Sequence, residues 1–298
     1  MEHPAVKNTV LSRFDDLSIW KQGDQRAPHK PLLVLYALGR WQNGQIEVTF
    51  RQAEPDLTAL LREFGPPRQS DHPEQPYWRL QSDGVWTVHA PAGLETKKGA
   101  DIPRITELRT HDVRAEFSTD VQAALSTDPG LVAAIASRIL ERHFPESLHY
   151  DILNAVGLTL ETTVTRRKWE PAFRQRVLKA YEYRCAVCGF DVRLGTVSIA
   201  LDAAHIRWHQ ANGPDEESNG LALCVLHHKT FDLGAFTVRE GVLLVSDQAN
   251  GTAGFQEALM AHHGKPIRDA QQPDWRPQPN HLDWHGREVF KGQARHRG

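Results

Sequence analysis

The chain has 298 residues, of which 40% are hydrophobic and 24% are charged, so its composition is that of a folded globular protein. Its 35 Lys and Arg residues nearly balance its 37 Asp and Glu residues, which excludes a uniformly basic protein that binds nucleic acid through bulk charge. The length predicts roughly two domains. No stretch approaches the roughly 18 apolar residues of a membrane span, and residues 1–11 lack the apolar core of a signal peptide. We therefore expect a cytoplasmic protein without a membrane partner.

The first part of the chain combines helical and strand-like patterns. Residues 31–38 are almost entirely apolar and begin with Pro31, which predicts a buried helix with proline in its first turn. Residues 46–50 alternate between apolar and polar side chains as a strand does, and residues 57–64 have helical spacing. The N-terminal half is therefore predicted to be mixed α/β.

Turn signals continue this pattern towards the middle of the chain. The runs at residues 77–80 and 85–88 flank the dipeptide Asp83-Gly84, as the two strands of a hairpin would. Residues 121–144 predict helices interrupted at an Asp-Pro-Gly sequence, and a polar, Thr-rich connector follows at residues 159–167. We expect the domain boundary at the start of that connector.

Three cysteines and one histidine are spaced as two ligand pairs. Cys185 and Cys188 form a C-x-x-C pair followed by Gly189, and Cys224 and His227 form a second pair with the same spacing. The two pairs supply four ligands for a tetrahedral Zn²⁺ site, a better explanation of an odd cysteine count than a secreted disulfide framework. Because four protein ligands leave no coordination position for water, this zinc would stabilise the fold without reacting.

A second set of polar residues overlaps the zinc ligands. His205, Asn219 and His228 stand in three short segments, residues 202–206, 219–224 and 227–232. These segments resemble the HNH, or ββα-metal, nuclease motif, in which two strands precede a helix. The resemblance implies that His205 is the general base, that Asn219 fixes the loop between the strands and orients the base, and that His228 belongs to the catalytic centre.

A carboxylate near His228 suggests a catalytic ion. Asp232 follows His228 by four residues, so on a helix the two side chains share one face and can hold one divalent cation. A carboxylate ligand favours a hard cation such as Mg²⁺ or Mn²⁺. Asp202 is a further candidate ligand, because Ala204, directly before the base, cannot bind a metal where many relatives carry a ligand. The alternative interpretation of Asp232 is a helix residue that caps a neighbouring loop.

Positive charge is concentrated next to this motif. Residues 166–188 hold seven basic and two acidic side chains, a local surplus that predicts contacts between Arg174, Lys179 and the DNA backbone. Near the C terminus, residues 284–292 resemble a closing segment of this nuclease subgroup. We expect that segment to pack on the core and to contact DNA.

Three segments of the N-terminal half, residues 26–33, 64–66 and 75–86, resemble the sulfur-binding domain of phosphorothioate-dependent restriction endonucleases. In that family an apolar pocket receives the sulfur that replaces a non-bridging phosphate oxygen, and basic side chains hold the backbone. Because sulfur is less tightly hydrated than oxygen, an apolar wall costs it less desolvation. The resemblance implies that His29 and Lys30 approach the modified phosphate and that Pro76 and Tyr77 help to build the pocket wall. Arg79 and Arg104 are further candidate DNA contacts.

These patterns predict an α+β protein with two domains. Residues 1–158 would form a mixed α/β recognition domain for phosphorothioated double-stranded DNA, and residues 159–298 would form, after a helical connector, a ββα-metal HNH endonuclease domain with a structural zinc. The predicted function is a type IV-like restriction endonuclease with Mg²⁺ or Mn²⁺ as catalytic ion, acting as a homodimer for double-strand cleavage. One alternative is an HNH endonuclease dependent on 5-methylcytosine or 5-hydroxymethylcytosine. Another, motivated by Ala204, is a zinc-stabilised DNA-binding protein whose nuclease centre is inactive.

Overall fold

The computed structural model describes residues 4–20, 23–96, 101–160 and 171–296. The chain forms two compact units, one from Met1–Gln22 and Ala27–Val164 and the other from Gly23–Arg26 and Thr165–Gly298. The tetrapeptide Gly23–Arg26 thus belongs to the second unit although the segments on both sides of it belong to the first. None of the described helices is long and apolar enough to span a bilayer.

The described part of the first unit contains helices and a small antiparallel sheet. The helices are α1 (Pro4–Asp15), α2 (His29–Gln42), α3 (Phe50–Phe64), α4 (Glu74–Arg79), α5 (Ile105–Thr110), α6 (Thr119–Thr127), α7 (Gly130–His143) and α8 (Glu146–Ala155). The strands are β1 (Val48–Thr49), β2 (Trp86–His89) and β3 (Arg114–Phe117). They pair in the order β1-β3-β2, and both pairings are antiparallel.

The core of the first unit is built on helix α2. Every residue from Lys30 to Gly39 is buried, as expected for a helix that is apolar on all sides. This confirms the predicted buried helix with proline in its first turn. Helix α3 begins after Thr49, whose hydroxyl accepts a hydrogen bond from the Gln52 backbone in a capping box, so the predicted strand ends after two residues. The predicted helix break is also confirmed, because α6 ends at Thr127 and α7 begins at Gly130.

The predicted hairpin at residues 77–88 is wrong. Residues 74–79 form helix α4, the four residues Leu80–Asp83 continue as a 3₁₀ helix, and only β2 is a strand, paired with β3. Pro76 cannot donate a hydrogen bond to a strand ladder. The ring of Tyr77 packs edge-on against Phe50 and Trp86, so tertiary packing decides a short apolar run that is ambiguous by its pattern alone.

The second unit contains the strand-strand-helix order that the nuclease motif requires. Its helices are α9 (Pro171–Ala180), α10 (Val225–Asp232), α11 (Ala253–Ala258) and α12 (Pro279–Glu288). Its strands are β4 (Arg193–Leu194), β5 (Val197–Ser198), β6 (Leu201–His205), β7 (Gly220–Cys224), β8 (Phe236–Arg239) and β9 (Val242–Val245), which form three antiparallel pairs in chain order. Strands β6 and β7 are joined by a loop, and α10 follows β7 directly.

Two packing contacts hold this ββα element in place. Gly220 lies against helix α9, where a Cβ atom would come within 2.4 Å of the Val177 side chain, so only glycine allows the helix to approach this closely. On another side, the fully buried Trp284 of α12 packs edge-on against Trp208 of the β6–β7 loop, with the ring centroids 6.0 Å apart. The indole Nε1 of Trp284 donates a hydrogen bond of 2.9 Å to the carbonyl of Asp24, within the tetrapeptide that joins this unit. The predicted packing of the C-terminal segment on the core is thereby confirmed.

Candidate active site and structural metal site

The four predicted zinc ligands converge. The ligand atoms of Cys185, Cys188, Cys224 and His227 all lie within 4.8 Å of one another. His227 Nδ1 lies 3.5 Å from Cys185 Sγ and 3.1 Å from Cys224 Sγ, and the Sγ atoms of Cys188 and Cys224 are 4.0 Å apart. With Zn–S bonds of about 2.3 Å, two thiolates of a tetrahedral site stand about 3.7 Å apart, so these side chains fit a zinc ion.

The surroundings of the cluster prepare its side chains to bind metal. His227 Nε2 donates a hydrogen bond of 2.8 Å to the carbonyl of Ala258, which leaves Nδ1 as the ligand atom. Hydrogen bonds from the thiols of Cys188 and Cys224 lower the pKa of Cys185, which favours the thiolate that a metal requires. Three of the four side chains are buried, with Cys188 exposed, so the cluster lies at the edge of the core.

The predicted general base, His205, is the last residue of β6. Its ring stacks on Phe173 of α9, with the ring centroids 4.1 Å apart, and its Nε2 atom lies 2.7 Å from a carboxylate oxygen of Asp215. Burial lowers the pKa of His205, and the Asp215 carboxylate offsets only part of this effect. A lowered pKa favours the neutral imidazole at pH 7, which is the form that a general base requires.

Asn219 fixes the loop between the two strands, as predicted from the motif. Its side chain is fully buried. The amide oxygen accepts a hydrogen bond of 2.8 Å from the backbone N–H of Arg207, and Nδ2 donates to the carbonyls of Arg207 and Pro214, each at 2.9 Å. All these bonds end on the β6–β7 loop that follows His205, so Asn219 holds the backbone of that loop.

His228 and Asp232 form a pair on one face of α10. His228 Nε2 lies 3.2 Å from an Asp232 carboxylate oxygen, and the two side chains are 12% and 2% exposed. Burial opposes protonation of His228, but the Asp232 carboxylate outweighs it and raises the pKa of His228. Adjacent ligands of an octahedral Mg²⁺ with bonds of about 2.1 Å stand about 3 Å apart, so the pair fits two neighbouring positions around one hard cation.

Asp202 forms its hydrogen bond away from the His228–Asp232 pair, although its charge is close enough to help raise the pKa of His228. Its carboxylate accepts a hydrogen bond of 2.8 Å from Arg174 Nε, and the side chain is 48% exposed. Within the part of the chain that the structure describes, only the cysteine cluster brings together three or more potential metal-ligand side chains with all ligand atoms within 4.8 Å. The assignment of Asp202 as a third ligand beside His228 and Asp232 stays a prediction.

The basic residues predicted to contact DNA in this unit lie on α9. Arg174 uses Nε on Asp202 and Nη2 on the carbonyl of Leu201, at 2.8 and 2.6 Å, so this guanidinium is held against β6. Lys179 is exposed one turn later. Three further basic residues of the same run, Arg166, Arg167 and Lys168, lie outside the described residues. Both assignments to DNA stay predictions.

The predicted reader residues of the first unit differ in accessibility. His29, the first residue of α2, is half-buried; burial lowers its pKa, and the positive charges of Arg68 and His72 lower it further. Lys30 is buried, and its ammonium pairs at 2.5 Å with the carboxylate of Asp83, whose side chain is 2% exposed. The contacts of Lys30 are those of an interior ion pair, whereas His29 lies near charged groups of both signs, since Asp71 and Glu74 also act on it.

The remaining predicted contacts divide in the same way. Pro76 and Tyr77 are buried, and the Tyr77 hydroxyl lies 2.7 Å from the carbonyl of Val48 and 2.9 Å from that of Val113, so it holds β1 and the segment before β3. Arg79 and Arg104 are exposed and form ion pairs with Asp101 and Glu95. The assignment of Pro76 and Tyr77 to a pocket wall, and of the two arginines to DNA, stays a prediction.

Replacing Lys30 tests whether its role is internal. Lys30→Met leaves Asp83 as a buried charge without its partner, so we expect the free energy of unfolding of the first unit to fall by about 3–5 kcal/mol. Lys179→Met, at an exposed lysine, should change stability by less than about 0.5 kcal/mol. Urea denaturation of the two variants measures the difference. A Lys30→Met protein of wild-type stability with weakened DNA binding would instead make Lys30 a DNA contact.

Sequence reasoning missed two contacts of the base. Asp215, which lies against His205 Nε2, occurs in the Gly-Pro-Asp sequence between His205 and Asn219, and only its place inside that interval signals a role. Phe173 is 32 positions before His205 in the chain, and no local pattern predicts that the two rings stack. Both contacts arise from the packing of α9 and the β6–β7 loop on β6.

Comparison with protein families is consistent with both halves of this arrangement. The model described as ScoMcrA-like, DNA sulfur-binding domain matches residues 7–161, more than half of the chain. The chain belongs to this family. The model described as HNH endonuclease matches residues 185–239, which include the zinc ligands, His205, Asn219 and the His228–Asp232 pair. The chain therefore joins a DNA sulfur-binding domain to an HNH endonuclease domain, which supports a metal-dependent DNA endonuclease.

Solved structures similar to the chain include two described for ScoMcrA. The sulfur binding domain of ScoMcrA complexed with phosphorothioated DNA is 22% identical, with a TM-score of 0.44, over 50% of this chain and 94% of that one. The type IV phosphorothioation-dependent restriction endonuclease ScoMcrA is also 22% identical, with a TM-score of 0.44, over 49% of this chain and 32% of that one. The modification-dependent TagI restriction endonuclease is 25% identical, with a TM-score of 0.30, over 44% of this chain and 41% of that one. No curated protein matches the chain.

Proposed function

We propose that the protein is a type IV-like restriction endonuclease that binds phosphorothioated double-stranded DNA through its first unit and hydrolyses phosphodiester bonds nearby through its second. The observation that carries this proposal is the occurrence, in one chain, of a sulfur-binding domain at residues 7–161 and an HNH domain at residues 185–239. The HNH match includes His205, Asn219 and His228. The family match favours sulfur over a methylated base as the recognised modification. The family match does not distinguish an active nuclease centre from an inactive one, and plasmid cleavage tests that difference.

The proposed reaction begins with proton transfer to His205. The neutral imidazole takes a proton from water at Nδ1, because Nε2 is engaged by Asp215. The hydroxide oxygen forms a bond to phosphorus, the bond between phosphorus and the 3′ oxygen breaks, and the electron pair leaves with that oxygen, which takes up a proton from solvent. Asn219 holds the backbone of the loop in place during this step, through the Arg207 and Pro214 hydrogen bonds.

His228 and Asp232 are the residues that would hold the catalytic cation. A bound Mg²⁺ or Mn²⁺ supplies positive charge that neutralises the phosphate and stabilises the leaving oxygen. Both side chains are nearly buried and stand one turn apart on α10. The helix therefore fixes the spacing of their donor atoms, and no loop has to become ordered when the cation binds. Ala204 leaves the position before the base without a ligand, so the two residues of α10 are the principal ligands in this proposal.

The first unit is proposed to read the modified backbone near the start of α2. His29, Arg68 and His72 supply nitrogen atoms there that can contact a phosphate, with the carboxylates of Asp71 and Glu74 nearby. The segment between α3 and α4 that carries Arg68 and His72 also contains the buried prolines Pro66 and Pro73. An apolar wall next to a basic group discriminates in favour of sulfur, because the less hydrated atom loses less solvation on entering it. In this proposal the buried residues Lys30, Pro76 and Tyr77 support the DNA-binding surface indirectly, because they hold α2 and α4 in position.

A panel of matched duplexes tests the proposal. We expect a duplex with one Rp phosphorothioate to compete for binding at least about tenfold better than the same sequence unmodified or carrying 5-methylcytosine or 5-hydroxymethylcytosine, a difference of about 1.4 kcal/mol or more. Competition anisotropy without divalent cation measures affinity, and incubation of supercoiled modified plasmid with Mn²⁺ measures cleavage.

Each contrary result in this panel has one meaning. A methylated duplex that outcompetes the phosphorothioate duplex would replace the sulfur proposal with a methyl-dependent one. Modified plasmid that stays supercoiled while the phosphorothioate duplex binds tightly would leave a DNA-binding protein with an inactive centre.

A single HNH centre per chain cuts one strand at a time, so we further propose a homodimer on DNA for double-strand breaks. Sedimentation with and without duplex measures that state, and a cytoplasmic location stays a prediction.

A further inference from the structure

The loop between β6 and β7 places a carboxylate against the general base. The Oδ1 atom of Asp215 lies 2.7 Å from Nε2 of His205, and the side chains are 33% and 11% exposed. A carboxylate only accepts hydrogen bonds, so the hydrogen between the two atoms belongs to the imidazole. This contact therefore selects the tautomer of His205 in which Nε2 carries the hydrogen and Nδ1 carries the lone pair.

Asp215 is itself held on both sides by residues of the nuclease unit. The carbonyl of Pro214, directly before it, accepts a hydrogen bond of 2.9 Å from Asn219 Nδ2. Its own carbonyl accepts one of 2.5 Å from Arg176 Nη2 on α9. Gly213, one residue earlier still, approaches the Arg207 carbonyl so closely that a Cβ atom would lie 1.8 Å from that oxygen. The position of the carboxylate is thus set by the same network that Asn219 organises.

The two contacts of His205 constrain different motions of the ring. Stacking on Phe173, with an angle of 15° between the ring planes, sets the plane of the imidazole. The hydrogen bond to Asp215 sets its rotation within that plane and its tautomer. When Nδ1 takes a proton, the carboxylate lies beside the positive charge that develops on the ring, where its attraction is greatest.

We propose that Asp215 is a positioning residue of the nuclease centre, which fixes the tautomer and orientation of His205, the proposed general base. This inference rests on the proposed nuclease function, and it assigns to Asp215 a role that acts through His205 and not on the substrate. It also gives Asn219 a defined path of action, because the amide holds the Pro214 carbonyl and thereby the carboxylate of the next residue.

The test compares Asp215→Ala and Asp215→Asn with the control Glu216→Gln, which removes a negative charge from an exposed neighbour on the same loop. Asp215→Ala should lower kcat for modified plasmid by about 10- to 100-fold with the Kd for the duplex changed less than about threefold. Asp215→Asn keeps an acceptor oxygen and should lie between Ala and wild type. Glu216→Gln should match wild type.

A second readout needs no DNA. In protein labelled with ¹⁵N-histidine, the ring signals of His205 are those missing from His205→Ala, and their shifts tell which nitrogen carries the hydrogen. We expect the Nε2–H tautomer in wild type and Asp215→Asn, and a mixture of tautomers in Asp215→Ala. An unchanged tautomer together with unchanged kcat in Asp215→Ala would overturn the role. Wild-type protein that leaves modified DNA intact would overturn the proposed function, and the tautomer comparison would still decide the role of Asp215.

Discussion

Replacing His205 with Ala is expected to lower the rate of cleavage of phosphorothioated plasmid by about 100- to 10,000-fold, the range over which positioned general bases contribute. The affinity for the duplex should stay within a few-fold of wild type, because a general base acts in the transition state and contributes little to binding the ground state. Single-turnover cleavage with Mn²⁺ and anisotropy without divalent cation measure the two quantities separately.

His209 provides the matched control for this experiment. It is an exposed histidine whose ring centroid lies 6.3 Å from that of His205, so His209→Ala removes an imidazole from the same region without removing the base. We expect its cleavage rate to stay within a few-fold of wild type. If both variants lost activity equally, or if His205→Ala lost DNA affinity as severely as activity, His205 could not be the general base.

The same residue sets the pH dependence of the wild-type reaction. Burial lowers the pKa of His205 below its ordinary value of 6.5, against the opposing effect of Asp215, and His209 and Asp232 also face the ring. A base is active when deprotonated, so its lowered pKa keeps the enzyme active at pH 7. At a saturating concentration of divalent cation, which competes with the proton for His228, the acidic limb of its rate profile should lie below pH 6.5. His205→Ala should lose that limb.

The zinc and nuclease residues were predictable from the sequence because their chemistry restricts spacing. Two ligand pairs with two intervening residues can close a tetrahedron, and His228 and Asp232 share a helix face because they are four residues apart. Both groupings are present in the structure. The role of Asn219 in holding the loop was likewise predictable from the motif, although its partners Arg207 and Pro214 became evident only from the fold.

The partners of the base and the accessibility of the reader residues could not be predicted from the sequence, because both depend on tertiary packing. Nothing local indicates that Phe173 stacks on His205, or that Asp215 faces it. Lys30 shows the converse. A lysine at a helix start resembles a phosphate contact in sequence, yet here the chain turns it towards Asp83 and buries the pair.

Exchanging the two adjacent histidines of α10 for Gln is expected to separate the zinc site from the catalytic site. His227→Gln removes a zinc ligand, so the second unit should lose its bound zinc and its cooperative thermal transition, because metal binding of about 10–16 kcal/mol is folding free energy in such sites. His228→Gln should retain about one zinc per chain and near-wild-type melting, but lose cleavage. Metal analysis, calorimetry and plasmid cleavage measure the three properties.

Glutamine is the matched substitution at position 228 because its amide can still donate a hydrogen bond to Asp232. Alanine there would remove the His228 contact of that buried carboxylate, so a loss of stability could be mistaken for the loss of a metal ligand. Cys185→Ser should behave as His227→Gln does, since it removes a thiolate from the same tetrahedron. Zinc lost from His228→Gln and retained in His227→Gln would reverse the two assignments. The orientation of His227, with Nδ1 3.1 Å from Cys224 Sγ and Nε2 on the Ala258 carbonyl, argues against that reversal.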